Sequence, residues 1–135
     1  MRYLIDTNVF IRMIKDYDIS DDTKAILEDY ENTIYVSSES IKEFIHLVQN
    51  GKIVPQKSIR LLDVFELIEK FGLNVKYVSK EHLRTLAKLE LVENHNDPSD
   101  RLIISQAITE KMPLISSDTK FPKYCKHGLD LIYNR

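Results

Sequence analysis

The stretch YLIDTN, residues 3–8, runs three apolar residues into an aspartate, where the chain reaches turn-forming threonine and asparagine. Residues 2–6 form an apolar run typical of a short buried strand. Ending such a strand on a carboxylate is costly unless something compensates for the buried charge. The arrangement recurs in LISSD, residues 114–118, where Asp118 directly follows another apolar run. The strand ends are therefore the first place to look for a functional site.

Strand-like and helix-like segments alternate along the chain. The predicted strands are residues 2–6, 33–37, 74–79, 113–117 and 129–133, and the predicted helices are 21–30, 38–52, 57–71, 80–93 and 98–111. Strands separated by helices favour a parallel sheet covered on both faces. We therefore expect an α/β fold with a three-layer α/β/α architecture and a central, mostly parallel sheet of four to five strands. Its length suits one domain, residues 1–135.

The composition is typical of a water-soluble globular protein, with 43% hydrophobic and 30% charged residues. Cys125 is the one cysteine, so an internal disulfide is impossible and a reducing compartment is expected. We see neither a signal peptide nor an apolar run near the ~20 residues that span a bilayer, and we expect a cytoplasmic protein without a membrane partner. A net charge of −2 argues against nucleic-acid binding by bulk charge, although a metal and a local basic patch could still meet phosphate.

Two predicted helices carry further acids. In DPSDRLIISQA, residues 97–107, Asp100 shares a helical face with Ile103, Ile104 and Ala107, which directs it toward the core. In the helix after the second strand, Glu43 borders the apolar stripe. Each acid also has an ordinary interpretation: a helix cap or turn residue for the strand-end aspartates, a dipole-complementing or exposed helix acid for the others. Asp97, before Pro98, is a ready cap.

Four acids near one point would repel one another and resist desolvation. A cation removes that conflict, and a site rich in oxygen and free of sulfur favours Mg²⁺ or Mn²⁺. Such ions activate water and stabilise charge on a phosphodiester. The combination of Asp6, Glu43, Asp100 and Asp118 therefore indicates a metal site at the carboxyl edge of the sheet, where parallel α/β folds place their active sites.

Several other classes of protein lack their required residues here. Three glycines are too few for GxGxxG or a P-loop, and the third predicted strand is not followed by a receiver-domain aspartate. Asn8 stands where a haloacid-dehalogenase-like phosphatase needs a second aspartate. The four histidines lack zinc-site spacing and are interpreted as surface or packing residues. Cys125 has no evident base beside it, so a thiol nucleophile is not indicated.

The segments LIDTNVFI, SSESIKEF, DPSDRLIISQA and LISSD, in this order, resemble the PIN-domain nucleases, and most of all the VapC-type toxins of toxin–antitoxin pairs. The resemblance spans residues 3 to about 124. DTN alone is a weak signal, whereas HNDPSDRLIISQA followed by LISSDTKF is much more specific. One departure is Ser99, where relatives often carry an aromatic residue.

The resemblance implies a PIN-like fold and a metal-dependent endoribonuclease. Its catalytic and metal-binding acids would be Asp6, Glu43, Asp100 and Asp118, holding one or two Mg²⁺ or Mn²⁺ ions. Asn8, Asp97 and Ser116 match supporting positions. Arg101 is a candidate RNA contact, with a solvated helix residue as the alternative.

Partners are implied as well. Apolar residues cover more than half the circumference of the predicted helix 57–71, which suggests either a helix wedged against its neighbours or an exposed groove or dimer face. VapC-like proteins generally form homodimers and accept an antitoxin nearby, so an RNA substrate, a homodimer and an antitoxin are expected. The alternative function is a catalytically silent PIN-like module that binds RNA or an antitoxin.

Overall fold

The structure is a computed structural model that describes residues 1–15, 18–54 and 64–134. The strands are β1 (Arg2–Ile5), β2 (Thr33–Ser37), β3 (Asn74–Lys76), β4 (Leu114–Ser116) and β5 (Leu131–Tyr133). The α-helices are α1 (Thr7–Lys15), α2 (Asp21–Glu28), α3 (Ser38–Gln49), α4 (Val64–Lys70), α5 (Lys80–Lys88) and α6 (Pro98–Glu110), and a 3-10 helix spans Phe121–His127. Among these described residues, no helix has the length and apolar character needed to cross a bilayer.

The five strands form one sheet in the order β3-β2-β1-β4-β5, and every pairing is parallel. Ile5 of β1 lies between Val36 of β2 and Ile115 of β4. Strands β2 and β3 lie in succession on one side of β1, and the chain then crosses over to form β4 and β5 on the other side of β1. The carboxyl ends of β1 and β4 therefore flank the switch point, where ligands bind in open parallel sheets.

Helices cover both faces of this sheet. In β1 the side chains alternate, so that Ile5 packs with α1, α3 and α4 while Leu4 packs with α6 and the 3-10 helix. The first core includes Val9, Phe10, Ile41, Phe44, Val64 and Ile68; the second includes Ile103, Ile104, Ala107, Leu114, Phe121 and Tyr124. The expected three-layer α/β/α architecture is confirmed, with an all-parallel rather than a mostly parallel sheet.

Two local predictions are corrected. Residues 7–15, for which the sequence pattern predicts no helix, form α1, which starts immediately after Asp6. The predicted helix 80–93 ends at Lys88, because the carbonyl oxygens of Leu89 and Glu90 accept hydrogen bonds from the Arg101 guanidinium. Of the predicted helix 57–71, residues 57–63 lie outside the described residues.

A buried histidine, His82, fixes the start of α5. His82 is 1% exposed, and its Nδ1 accepts a 2.9 Å hydrogen bond from the backbone N–H of Ser79, which caps the helix. Its Nε2 lies 2.9 Å from Glu110 of α6. This hydrogen bond from His82, with the charge of Lys76, holds the pKa of Glu110 below its usual range.

We expect His82→Leu to lower the free energy of unfolding by roughly 2 kcal/mol, because it leaves the Ser79 amide and the Glu110 carboxylate without their partner. Urea denaturation of the variant and of Glu81→Ala, an exposed neighbour on the same helix, would measure the difference. Equal midpoints for both variants would contradict the assignment of a structural role to His82.

Candidate active site

Asp6 connects β1 to α1, and only 3% of the residue is exposed. Its Oδ1 accepts a 2.9 Å hydrogen bond from the backbone N–H of Val9, so it caps the first turn of α1. Its Oδ2 accepts a hydrogen bond from the Ser116 hydroxyl. Burial raises the pKa of Asp6 to about 6, since these bonds only partly offset desolvation and both Asp100 and Asp118 add repulsion. Asp6 is thus a helix cap, as one of its two interpretations predicts. Capping alone does not explain why a carboxylate that other acids repel is buried at this position.

The hydroxyl of Ser116 links the two strand-end aspartates. Ser116 is fully buried, and while it donates to Asp6 its oxygen accepts a 3.0 Å hydrogen bond from the backbone N–H of Asp118. The Asp118 carboxylate in turn accepts a 2.8 Å hydrogen bond from the N–H of Lys120, which forms a tight turn. Ser116 therefore sets the position of Asp6 relative to the turn that carries Asp118.

Helix α6 brings the third carboxylate. Asp97 is the N-cap and accepts a 3.0 Å hydrogen bond from the backbone N–H of Asp100, with Pro98 in the first turn as predicted. The Asp100 side chain is 25% exposed and lies 3.2 Å from Nε2 of His95. Desolvation raises the pKa of Asp100, and the charges of Asp97 and Asp118 add to this, although the hydrogen bond to His95 opposes it.

Helix α3 contributes the fourth carboxylate, that of Glu43. Desolvation raises the pKa of Glu43 to about 6, assisted by the charges of Asp100, Asp97 and Asp6. One turn earlier, Glu39 accepts a 2.8 Å hydrogen bond from the Ser99 hydroxyl and pairs with Lys42 at 2.9 Å. Ser99, the departure from the aromatic residue of relatives, thus ties the start of α6 to α3.

The electrostatics of the cluster leave its charge uncompensated. Asp6, Glu43 and Asp100 each have a raised pKa, and each is repelled by at least one other acid of the set. Among the described residues, the one basic group within ion-pair distance of these four acids is the His95 imidazole, 3.2 Å from Asp100, which bears a charge only when both of its nitrogens are protonated. The arrangement is suited to a divalent cation, which would favour the ionised form of every carboxylate at once.

Sequence reasoning missed His95. It is 5% exposed, and one of its ring nitrogens lies with oxygens of Asp100 and Asp118 in a group of atoms within 4.8 Å of one another. A turn places it there: His95 N–H bonds to the Val92 carbonyl, and Asn94 between them has φ +63°. The signal available in the sequence was its position just before DPSDR, but burial of the ring depends on contacts distant along the chain.

Two other predicted residues, Asn8 and Arg101, take no part in the hydrogen bonds that the described residues make to the four acids. Asn8 is exposed, and the side-chain hydrogen bonds that the described residues form at this site do not include it. Arg101 is 7% exposed and donates to the carbonyls of Leu89 and Glu90 at 2.8 and 3.1 Å. The interpretation of Arg101 as a solvated residue is therefore wrong, because the guanidinium is engaged inside the fold, while its contact with RNA phosphate stays a prediction.

Comparison with known proteins agrees with this fold. The family model of the PIN domain matches residues 3–127, nearly the entire chain. The chain therefore belongs to the PIN domain family, a family of nucleases. A comparison with curated protein sequences gave no match.

Solved structures with the same fold include the VapBC2 complex of Rickettsia felis bound to promoter DNA, at 21% identity, complete coverage of both chains and a TM-score of 0.70. DNA-bound VapBC of Salmonella typhimurium shares 16% identity over 98% of each chain, with a TM-score of 0.69. FitAcB of Neisseria gonorrhoeae shares 16% identity over 98% of this chain and 96% of that one, with a TM-score of 0.65. At these identities the likeness concerns the fold.

Proposed function

We propose that this protein is a metal-dependent endoribonuclease and the toxin of a type II toxin–antitoxin pair. The observation that carries the proposal is the buried, uncompensated charge of Asp6 at the switch point of the sheet, beside Asp100 and Asp118. Membership of the PIN domain family supports nuclease chemistry, and the toxin–antitoxin complexes among the structures of the same fold support the biological class.

The donor set fits Mg²⁺ or Mn²⁺. Asp6, Asp100 and Asp118 would hold one or two ions, with Glu43 at the edge of the same site. All four offer carboxylate oxygens, which these hard cations prefer. The pKa values of Asp6, Glu43 and Asp100 are raised by desolvation and further by repulsion between the acids, and a cation would relieve both costs. When bound, such an ion supplies Lewis-acid stabilisation of the phosphodiester and lowers the pKa of water.

Side chains of the protein would then supply the remaining catalytic functions. Glu43 is partly exposed, and a pKa of about 6 lets its carboxylate accept a proton from an attacking water near neutral pH. Ser116 and the Val9 amide hold both oxygens of Asp6 in a fixed orientation. Attack in line with the departing oxygen of the RNA backbone would leave a 5′-phosphate on the product.

The test is cleavage of a panel of structured RNAs with Mg²⁺ and with EDTA. We expect cutting in Mg²⁺ that EDTA abolishes and that Asp22→Asn leaves intact, because Asp22 is an exposed acid in the first turn of α2. The same variant controls for the loss of one negative charge. Tight RNA binding without cleavage under any metal condition would instead support the catalytically silent binding module.

A groove beside the sheet supports the expected antitoxin partner. It has a volume of about 540 Å³ and lies between α1, α2 and the residue after α4. Its apolar lining is Met13, Ile19, Leu27 and Phe71, and its charged lining is Arg12, Asp18, Asp21, Lys24 and Glu28. An apolar floor with charges of both signs at the rim fits one amphipathic segment of a partner protein.

Helix α4 supports the expected homodimer. Val64 and Ile68 face the core, whereas Phe65 is 52% exposed and Phe71, just beyond the helix, is 38% exposed. This part of the predicted helix 57–71 therefore combines both interpretations: one face packs inward and another presents apolar surface. Light scattering across a range of concentrations should give twice the chain mass, and Phe65→Asp should lower it. A wild-type mass of one chain throughout would contradict the dimer.

A further inference from the structure

We infer that His95 is a positioning residue that orients the Asp100 carboxylate by donating a hydrogen bond from Nε2, and that it is not a metal ligand. The inference deepens the proposed function and rests on it for the role of Asp100. It is carried by a chain of three hydrogen bonds that runs from Asp100 through His95 and Tyr124 to Arg101, four residues contributed by α6, the loop before it and the 3-10 helix.

The direction of each bond follows from the chemistry of the groups. Arg101 Nη1 lies 3.3 Å from the Tyr124 hydroxyl, and because a guanidinium only donates, the hydroxyl oxygen accepts there. The hydroxyl proton then has two acceptors within reach, Nδ1 of His95 at 2.6 Å and the His95 carbonyl oxygen at 3.5 Å. The shorter contact assigns the proton to the bond with Nδ1.

The contact between His95 and Asp100 leads to the same assignment of hydrogens on the imidazole. Nε2 of His95 lies 3.2 Å from Oδ2 of Asp100, and an ionised carboxylate only accepts. Nε2 must therefore carry a hydrogen, which agrees with Nδ1 being the nitrogen that accepts from the Tyr124 hydroxyl. Both nitrogens are thus occupied by hydrogen bonds within the protein, although one of them lies close enough to Asp100 and Asp118 to suggest a ligand.

The imidazole of His95 is also held rigidly. His95 packs edge-on against Phe121 and Tyr124, with centroid distances of 5.8 and 5.3 Å. Tyr124 is fully buried, and the guanidinium of Arg101 fixes the loop that carries His95 through the carbonyls of Leu89 and Glu90. An imidazole fixed in this way restricts the rotation of the Asp100 carboxylate and keeps its other oxygen available to a cation.

The tautomer can be tested on the metal-free wild-type protein. Long-range ¹H–¹⁵N correlation spectra of the imidazoles should show His95 in the Nε2–H form, and Tyr124→Phe, which removes only the hydroxyl, should reduce the population of that form. A predominant Nδ1–H form in the wild-type protein would overturn the inference without bearing on the proposed function.

Manganese binding tests the positioning role. In equilibrium titrations followed by electron paramagnetic resonance, His95→Leu should bind Mn²⁺ on the order of tenfold more weakly than the wild-type protein. His95→Gln, which keeps an N–H donor near the position of Nε2, should recover part of that loss. The matched control is His82→Leu, another buried histidine whose Nε2 bonds to a carboxylate, at 2.9 Å, outside the site. It should lose stability and keep its affinity for Mn²⁺.

The outcomes separate the two levels of inference. If the wild-type protein does not bind Mn²⁺, the proposed function fails and the positioning role fails with it. If the wild-type protein binds Mn²⁺ and His95→Leu binds it equally well, only the positioning role is overturned. Spin-echo modulation from a directly bonded imidazole nitrogen in the Mn²⁺ complex would also overturn it, because His95 would then be a ligand.

Discussion

Asp6→Asn is expected to reduce Mg²⁺-dependent RNA cleavage by at least about 10²–10³-fold, the scale on which an essential electrostatic group acts in a catalytic site. The physical reason is that the variant loses the most deeply buried carboxylate of the cluster, at 3% exposure, and with it the charge that holds a cation. The fold should remain intact, because asparagine can still accept from the Val9 amide and can donate to the Ser116 hydroxyl.

The same variant should be more stable than the wild-type protein when no metal is present. A pKa raised from 3.8 to about 6 means that ionised Asp6 destabilises the folded state by up to about 3 kcal/mol above that pH. Thermal melts in EDTA at pH 7.5, beside Asp22→Asn, would measure the gain. Cleavage at the wild-type rate by Asp6→Asn would remove Asp6 from the mechanism.

The second large effect is an unusual dependence of stability on pH. The ordinary pKa values of Asp6 and Glu43 are 3.8 and 4.5, and in the folded protein both are raised to about 6. Between these limits the folded protein binds more protons than the unfolded chain, so the free energy of unfolding should fall as pH rises from about 4 to about 6. Glu110 acts in the opposite sense, since its pKa is lowered and its contribution is lost in acid.

Divalent cations should oppose this dependence of stability on pH. Because a metal binds the ionised carboxylates, Mg²⁺ or Mn²⁺ at 100 times its Kd at pH 7.5 should stabilise the protein by roughly 2.7 kcal/mol at that pH, and the same concentration should stabilise it less at pH 5. Urea denaturation at both pH values, with EDTA and with Mg²⁺, gives the four measurements needed. A metal-free stability that rises with pH across the window, or an Mg²⁺ effect equal at both pH values, would argue against a shared cation site.

The parts of the fold that depend on local pattern were predictable from the sequence. All five strands and the face of α6 that carries Asp100 follow from apolar spacing, and the meeting of acids at one sheet edge follows from the parallel arrangement. Helix α1 was not predicted because its capping residue, Asp6, is also the last residue of the strand-like run 2–6. The turn between β1 and α1 contains no glycine or proline that would mark it.

The residues that were misjudged are those whose environment is set by distant contacts. The burial of His95 depends on Tyr124, 29 residues further along the chain. Arg101 follows Asp100 on a helix and has the sequence context of a solvated residue, yet its guanidinium bonds to carbonyls 11 and 12 residues away. Periodicity reports which face of a helix is apolar, but it cannot report that a loop will fold over one long polar side chain and remove it from water.

Ser116 offers a way to disable the site while leaving the formal charge at −2. Since its hydroxyl serves Asp6 and the Asp118 amide together, the effects of Ser116→Ala and Asp6→Asn should be strongly non-additive in a double-mutant cycle. A protein inactivated by Ser116→Ala would keep every acidic side chain that a partner could contact. Complex formation could then be studied separately from catalysis, without the altered long-range field that comes with deleting a carboxylate.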